Sequence, residues 1–162
     1  MRRLKILLAE DDDDLRSLYG YMLAAAGYKV NAVRNGLQAF AEIQVNRPDV
    51  VVTDITMPVL SGLDLIVAVG ADDELADLPV VAITSFGEGI CKLARAAGAI
   101  DAIDKPTDIT RMREVIEAAV SRSASARPSS NGSPLLELSD KNHRTGATAK
   151  PSAIPPGTRP RN

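Results

Sequence analysis

Compact apolar runs alternate along this chain with stretches in which apolar residues recur every three or four positions. Lys5–Ala9 (KILLA) is such a run, and it stops at Glu10 and four successive aspartates. A short apolar segment bounded by charge predicts a strand. Leu15, Leu18, Tyr19, Met22 and Leu23 follow at helical spacing, and Gly27 supplies a helix stop. Tyr28–Val33 predicts a second strand. Asn35 is placed to cap a helix carrying Leu37, Phe40, Ala41 and Ile43, which Pro48 ends. Asp49–Asp54 (DVVVTD) predicts a third strand, because consecutive valines suit a strand covered on both faces. A loop with Pro58 and Gly62 leads into a helix over Leu63–Val69. Leu78–Thr84 (LPVVAIT) predicts the fourth strand, Ile90–Ala97 a helix closed by Gly98, and Ile100–Ile103 a fifth strand. Asp108–Val120 sets Ile109, Met112, Val115, Ile116 and Ala119 on one helical face. Strands alternating with helices in this way predict an α/β fold: a five-stranded parallel sheet with helices on both faces.

After Ser121 the periodicity stops. The remainder is rich in Ser, Pro, Gly, Thr and basic residues, with too little apolar content to offset the entropy of ordering. The expected organisation is a folded domain over 1–121 and a disordered, Ser/Pro-rich basic tail over 122–162. Leu135, Leu136 and Leu138 form the tail's one apolar patch, which reads as incidental rather than as a docking motif. Charge divides at the same boundary. Up to Ser121 there are 12 Lys and Arg against 19 Asp and Glu; beyond it there are 7 against 2. The net charge of −2 therefore hides an acidic domain joined to a basic tail. Such a tail permits nonspecific nucleic-acid contact, but a solubilising role is the simpler reading. It is too short and irregular for a dedicated DNA-binding domain. The chain lacks Trp and has only 3% aromatic residues, so base stacking is excluded as a principal activity. Cys91 stands alone and forms no internal disulfide. No apolar stretch approaches the roughly 20 residues of a membrane span, and MRRLKILLAEDD is no signal peptide. The expected location is cytoplasmic, with no membrane insertion.

Ligands of parallel α/β sheets bind beyond the carboxyl ends of the strands, so the residues there carry the candidate chemistry. The first strand ends in Glu10, Asp11, Asp12, Asp13 and Asp14, the third in Asp54, the fourth in Thr84 and Ser85; Lys105 and Pro106 follow the fifth. Clustered carboxylates need a cation. Hard oxygen donors without His or Cys favour Mg²⁺ and disfavour zinc. A carboxylate beside such an ion can act as a nucleophile and form an acyl phosphate, with charge neutralised by the ion, Lys105 and a hydroxyl. Each residue also has a plainer reading. Asp12–Asp14 suit helix capping better than metal binding. Asp54 alone would pass as a turn residue, Thr84 as a β-former and Lys105 as a surface charge. Their recurrence at successive strand ends is what argues for a site.

KILLAEDDDDLR, PDVVVTDITMPVLSGLDLI, LPVVAITS and AGAIDAIDKPTD together resemble, in order and spacing, the receiver domains of bacterial two-component response regulators, over roughly Lys5 to Val120. The DITMPVLSG segment is the most specific part. The resemblance implies the flavodoxin-like (βα)5 receiver fold and a single-domain response regulator. Its phosphoacceptor would be Asp54. Its metal ligands would be Asp11 and Asp54 directly, Glu10 through water, and the backbone carbonyl of Thr56, all on Mg²⁺. Thr84 would be the switch hydroxyl and Lys105 the lysine that pairs with the phosphoryl group, with Lys105–Pro106 commonly cis. The implied donor is a histidine kinase or histidine phosphotransfer protein, and the output is docking to a protein partner. The domain would catalyse only its own phosphorylation and dephosphorylation, so it is not expected to be an enzyme in the ordinary sense. Two positions depart from the family: Ala102 stands where an aromatic on the fifth strand often reports the switch, and Asp104 where an apolar residue is common.

Three other readings compete. A haloacid-dehalogenase-like phosphatase needs a nucleophile after the first strand, a second Asp two residues on and a Thr or Val soon after. Asp12 and Asp14 have that spacing, but Leu15 and Arg16 follow. A pseudo-receiver that binds partners without phosphorylation is opposed by the intact Glu10, Asp11, Asp54, Thr84 and Lys105. A nucleotide-binding domain would need a glycine-rich loop after the first strand, and none is present.

Overall fold

The computed structural model describes residues 2–126. Most of the expected tail, including Leu135, Leu136 and Leu138, lies outside the described residues. Five strands and five helices alternate: β1 (Lys5–Ala9), α1 (Asp13–Ala25), β2 (Lys29–Val33), α2 (Gly36–Val45), β3 (Val50–Asp54), α3 (Gly62–Ala71), β4 (Val80–Thr84), α4 (Gly87–Ala97), β5 (Asp101–Asp104) and α5 (Ile109–Ala126). All pairings are parallel, in the order β2–β1–β3–β4–β5. This is the parallel α/β sheet that the alternating patterns predict, in the flavodoxin-like form that the family resemblance implies.

Every residue of β3 and β4 is buried, as their continuous apolar character requires. Strand alternation divides the core in two. Leu7, Ala9, Val51 and Ala82 pack with Ile43 of α2, Leu65 and Ile66 of α3 and Ala94 of α4. Ile6, Leu8, Val50, Val52, Val81 and Ile83 pack with Tyr19 and Leu23 of α1 and Met112 and Ile116 of α5. The helix after β1 and the helix after β3 thus lie on opposite faces, which opens a crevice between the carboxyl ends of these neighbouring strands.

Local capping sets where the helices start. Asp12 caps α1, its side chain accepting from the amides of Asp14 (3.0 Å) and Leu15 (2.9 Å), with Asp13 and Asp14 in the first turn. Asn35 caps α2 through the Gln38 amide. Ser61 and Asp64 form a reciprocal capping box on α3. Two helices differ from the periodic pattern. α4 starts at Gly87, three residues before Ile90. α5 continues to Ala126, past Val120 and into the segment expected to be disordered. The extra turn is held from the side: Arg122 reaches Asp101 at 3.3 Å, and the Ser123 hydroxyl donates to the Asp77 carbonyl. Among the described residues no helix is long and apolar enough to cross a membrane.

Candidate functional site

The crevice between β1 and β3 collects the predicted charges. Glu10 follows β1 and is 1% exposed; Asp54 ends β3 and is 6% exposed. Ligand oxygens of Glu10, Asp11 and Asp54 lie within 4.8 Å of one another. Lys105, just after β5, extends its ammonium between two of them, 2.8 Å from Glu10 Oε2 and 3.0 Å from Asp54 Oδ1. The second Asp54 oxygen accepts from the Thr56 amide at 3.2 Å, and Glu10 Oε1 from the Asp12 amide at 3.3 Å. Burial dominates at Glu10 and pushes its pKa up, against the lowering effect of Lys105. Burial would depress the Lys105 ammonium, but its hydrogen bonds to Glu10 and Asp54 outweigh this and raise its pKa. One ammonium faces three carboxylates, so the cluster retains an excess of negative charge.

Thr84 ends β4 and is fully buried, but it is not hydrogen-bonded to Asp54. Its Oγ1 accepts from the Phe86 amide at 3.2 Å. Its carbonyl accepts from the Lys105 amide at 2.7 Å, which ties the ends of β4 and β5 together. The Lys105–Pro106 bond is cis, as the family resemblance implies. Asp12, one of the two aspartates with phosphatase-like spacing, is occupied as the cap of α1.

The loop from Ile55 to Ser61 is anchored by two glycines at helix starts. The Gly62 amide donates to the Ile55 carbonyl at 2.9 Å and the Gly36 amide to the Leu60 carbonyl at 3.0 Å. A Cβ on Gly62 would sit 2.0 Å from the Asp54 carbonyl oxygen, so a side chain there would displace the end of β3 itself. Val59 in this loop has φ +71° and is the one non-glycine residue with positive φ among the described residues. A β-branched residue is strained in that region.

Three further contributors surround the site, and of these only Asp104 stands out in the sequence, as a departure from the family pattern. Arg16 in α1 donates to the carbonyls of Glu10 (3.0 Å) and Asp11 (3.4 Å), bracing the acidic turn. Tyr19, 4% exposed on α1, has its phenol pKa raised mainly by burial, with Glu10 and Asp54 adding and Lys105 opposing, so it lies within the field of the site. Asp104 Oδ1 accepts from the Gly87 amide at 3.1 Å. The roles of Tyr19 and Asp104 depend on tertiary proximity, which residue type and spacing do not encode, and that of Arg16 on the path of the turn after β1.

Comparison with known proteins points the same way. A family model described as the response regulator receiver domain matches residues 6–117. The polar-differentiation response regulator DivK of Brucella anthropi is 33% identical over 114 residues, covering 70% of this chain and 93% of the relative; DivK of Brucella ovis is 31% identical with the same coverage. Among solved structures, the chemotaxis response regulator CheY4 of Vibrio cholerae is 26% identical with a TM-score of 0.67, covering 73% of this chain and 99% of that one. The receiver domain of a sensor histidine kinase from Pseudomonas aeruginosa, solved with a magnesium ion coordinated in its active-site cleft, is 26% identical with a TM-score of 0.69, covering 74% and 99%.

Proposed function

This chain belongs to the response regulator receiver domain family of two-component signalling, and from that premise we propose that it accepts a phosphoryl group on Asp54 from a histidine kinase or histidine phosphotransfer protein. One observation carries the reading: a buried carboxylate at the end of central strand β3 has the Lys105 ammonium 3.0 Å away and two more carboxylates beside it. In the transfer, an Asp54 carboxylate oxygen forms a bond to phosphorus while the phosphorus–nitrogen bond of the donor phosphohistidine breaks. The imidazole leaves with the bonding pair and takes up a proton. Lys105 pairs with the phosphoryl oxygens, and Thr84, whose oxygen now accepts from Phe86, has its hydroxyl proton available to donate to one of them. The output is docking to a partner protein, with no separate substrate turned over.

Mg²⁺ fits the cluster, because the donors are all oxygens and a single ammonium leaves their charge under-compensated. Asp11 and Asp54 would hold it directly, Glu10 through water, and the Thr56 carbonyl would complete the protein's contribution. When bound, it supplies charge neutralisation at the transferred phosphoryl group. The test is to incubate the full chain with acetyl phosphate and Mg²⁺ and read the intact mass. One phosphoryl group should be gained, excess chelator should prevent it, and Asp11→Ala should slow it roughly tenfold or more. Undiminished labelling in chelator would contradict the role of the ion.

A further inference from the structure

Helix α4 packs on the sheet through a narrow apolar face, in which Cys91 and Ala94 are buried and Ile90 and Ala97 partly so. Its first-turn amides also lack the usual local cap: Phe86, at the cap position, makes no side-chain hydrogen bond. The acceptor comes instead from the neighbouring strand. Asp104 Oδ1, at the end of β5, takes the Gly87 amide at 3.1 Å, and a carboxylate is favourable at a helix N-terminus. Asp104 is the register partner of Thr84 across β4–β5 and directly precedes Lys105, whose amide binds the Thr84 carbonyl. The other end of α4 is fastened to the same strand. Arg95 donates to the Ala102 carbonyl at 3.0 Å and reaches Asp101 at 3.4 Å, while its other branch pairs with Glu88 of α4 at 3.0 Å.

We propose that Asp104 is a positioning residue whose bond to the Gly87 amide latches α4 to β5 and holds the Ser85–Phe86 turn, and with it the Thr84 hydroxyl, in the resting arrangement. The proposal deepens the function above and rests on Thr84 moving to a phosphoryl group on Asp54. The latch ties the end of β5, just before Lys105, to the start of α4, which follows the strand that ends in Thr84. Inward movement of the Thr84 hydroxyl takes the acceptor away from the Phe86 amide, which leaves the Asp104–Gly87 bond as the remaining polar tie that holds this turn against β5. Coupling between the acceptor and α4 then runs through a polar contact on β5, where Ala102 offers no bulk of its own. Gly87 is suited to the pivot, because its φ of +74° is one that side-chain-bearing residues rarely adopt.

Two substitutions separate this from a general effect of altering the surface. Asp104→Asn keeps an oxygen acceptor in place, and Asp104→Ala removes it. In the free protein, Asp104→Ala should raise the hydrogen-exchange rate of the Gly87 amide roughly tenfold, the scale set by losing a hydrogen bond to a charged group. Its backbone NMR shifts over residues 84–97 should move toward the positions that beryllofluoride with Mg²⁺ induces in the wild type. Asp104→Asn should stay near the wild-type free positions on both readouts. Free-state shifts and exchange in Asp104→Ala that match the wild type would overturn the latch. A wild type that ignores beryllofluoride would instead contradict the Asp54 reading, and the free-state comparison of the Ala and Asn variants would still decide the latch.

Discussion

Lys105 serves two carboxylates at once, and its buried ammonium offsets only part of the charge that Glu10, Asp11 and Asp54 gather around it. That imbalance leaves net negative charge at the site, and its makers are legible in the sequence: acids, a hydroxyl and a lysine stand at strand ends, and the fold class fixes where strand ends go. Asp101 shows what is not legible. Burial works against its ionised form, yet the Ala102 amide at 2.8 Å, Arg95 and Arg122 together hold its pKa below the ordinary value of 3.8. A depressed carboxylate pKa stabilises the fold above 3.8, and this contribution is lost as pH falls through the folded-state value. Asp101→Asn should therefore lower stability to urea at neutral pH by roughly 0.5 kcal/mol, the scale of partly exposed ion pairs. The deficit should shrink as the solution is acidified below 3.8. A deficit that is constant with pH would mean that the charge of Asp101 contributes nothing. Its partners come from α4 and from the last turns of α5, a convergence that no local pattern announces.

At the scale of elements, apolar periodicity locates all ten, and side-chain caps set the starts of α1, α2 and α3. Asn35 is readable as a cap because a helix pattern follows it directly. Ser61 is not, because its reciprocal partner is Asp64 rather than the usual Glu or Gln. The start of α4 is hidden from the sequence because Gly87 and Gly89 are poor helix formers, and the cap that compensates for them comes from β5. Two glycines provide a paired test of how tightly the elements meet. Gly20 lies inside α1 with open space where a methyl would project, so Gly20→Ala should stabilise the protein by about 1 kcal/mol through helix propensity alone. Gly62→Ala would set its methyl 2.0 Å from the Asp54 carbonyl oxygen. It should destabilise by roughly 3 kcal/mol, the upper end of overpacking costs, and impair labelling of Asp54. Equal stability of the two variants by chemical denaturation would show that the β3–α3 junction has more room than this geometry allows.

The molecule as a whole joins an acidic folded unit to a basic remainder, a division visible in the charge counts. The point of transition is harder to read, because α5 ends in Ser, Arg and Ala residues without an apolar stripe. Those residues stay helical through contacts to Asp101 and Asp77. A chain ending after Ala126 should keep the thermal midpoint of the full chain and its labelling by acetyl phosphate. One ending after Ser121, without Arg122 and Ser123, should melt several degrees lower, as expected for a loss of about 1 kcal/mol in a domain of this size. Equal midpoints for the two shortened chains would mean that the last turns of α5 add no stability. If Asp54 alone accepts the phosphoryl group, intact-mass measurement after acetyl phosphate and Mg²⁺ should separate the wild type from Asp54→Asn. The wild type should gain a single phosphoryl group, and the variant should gain none while keeping the wild-type circular dichroism spectrum. A folded Asp54→Asn protein labelled to the wild-type extent would place the phosphoryl group on another residue.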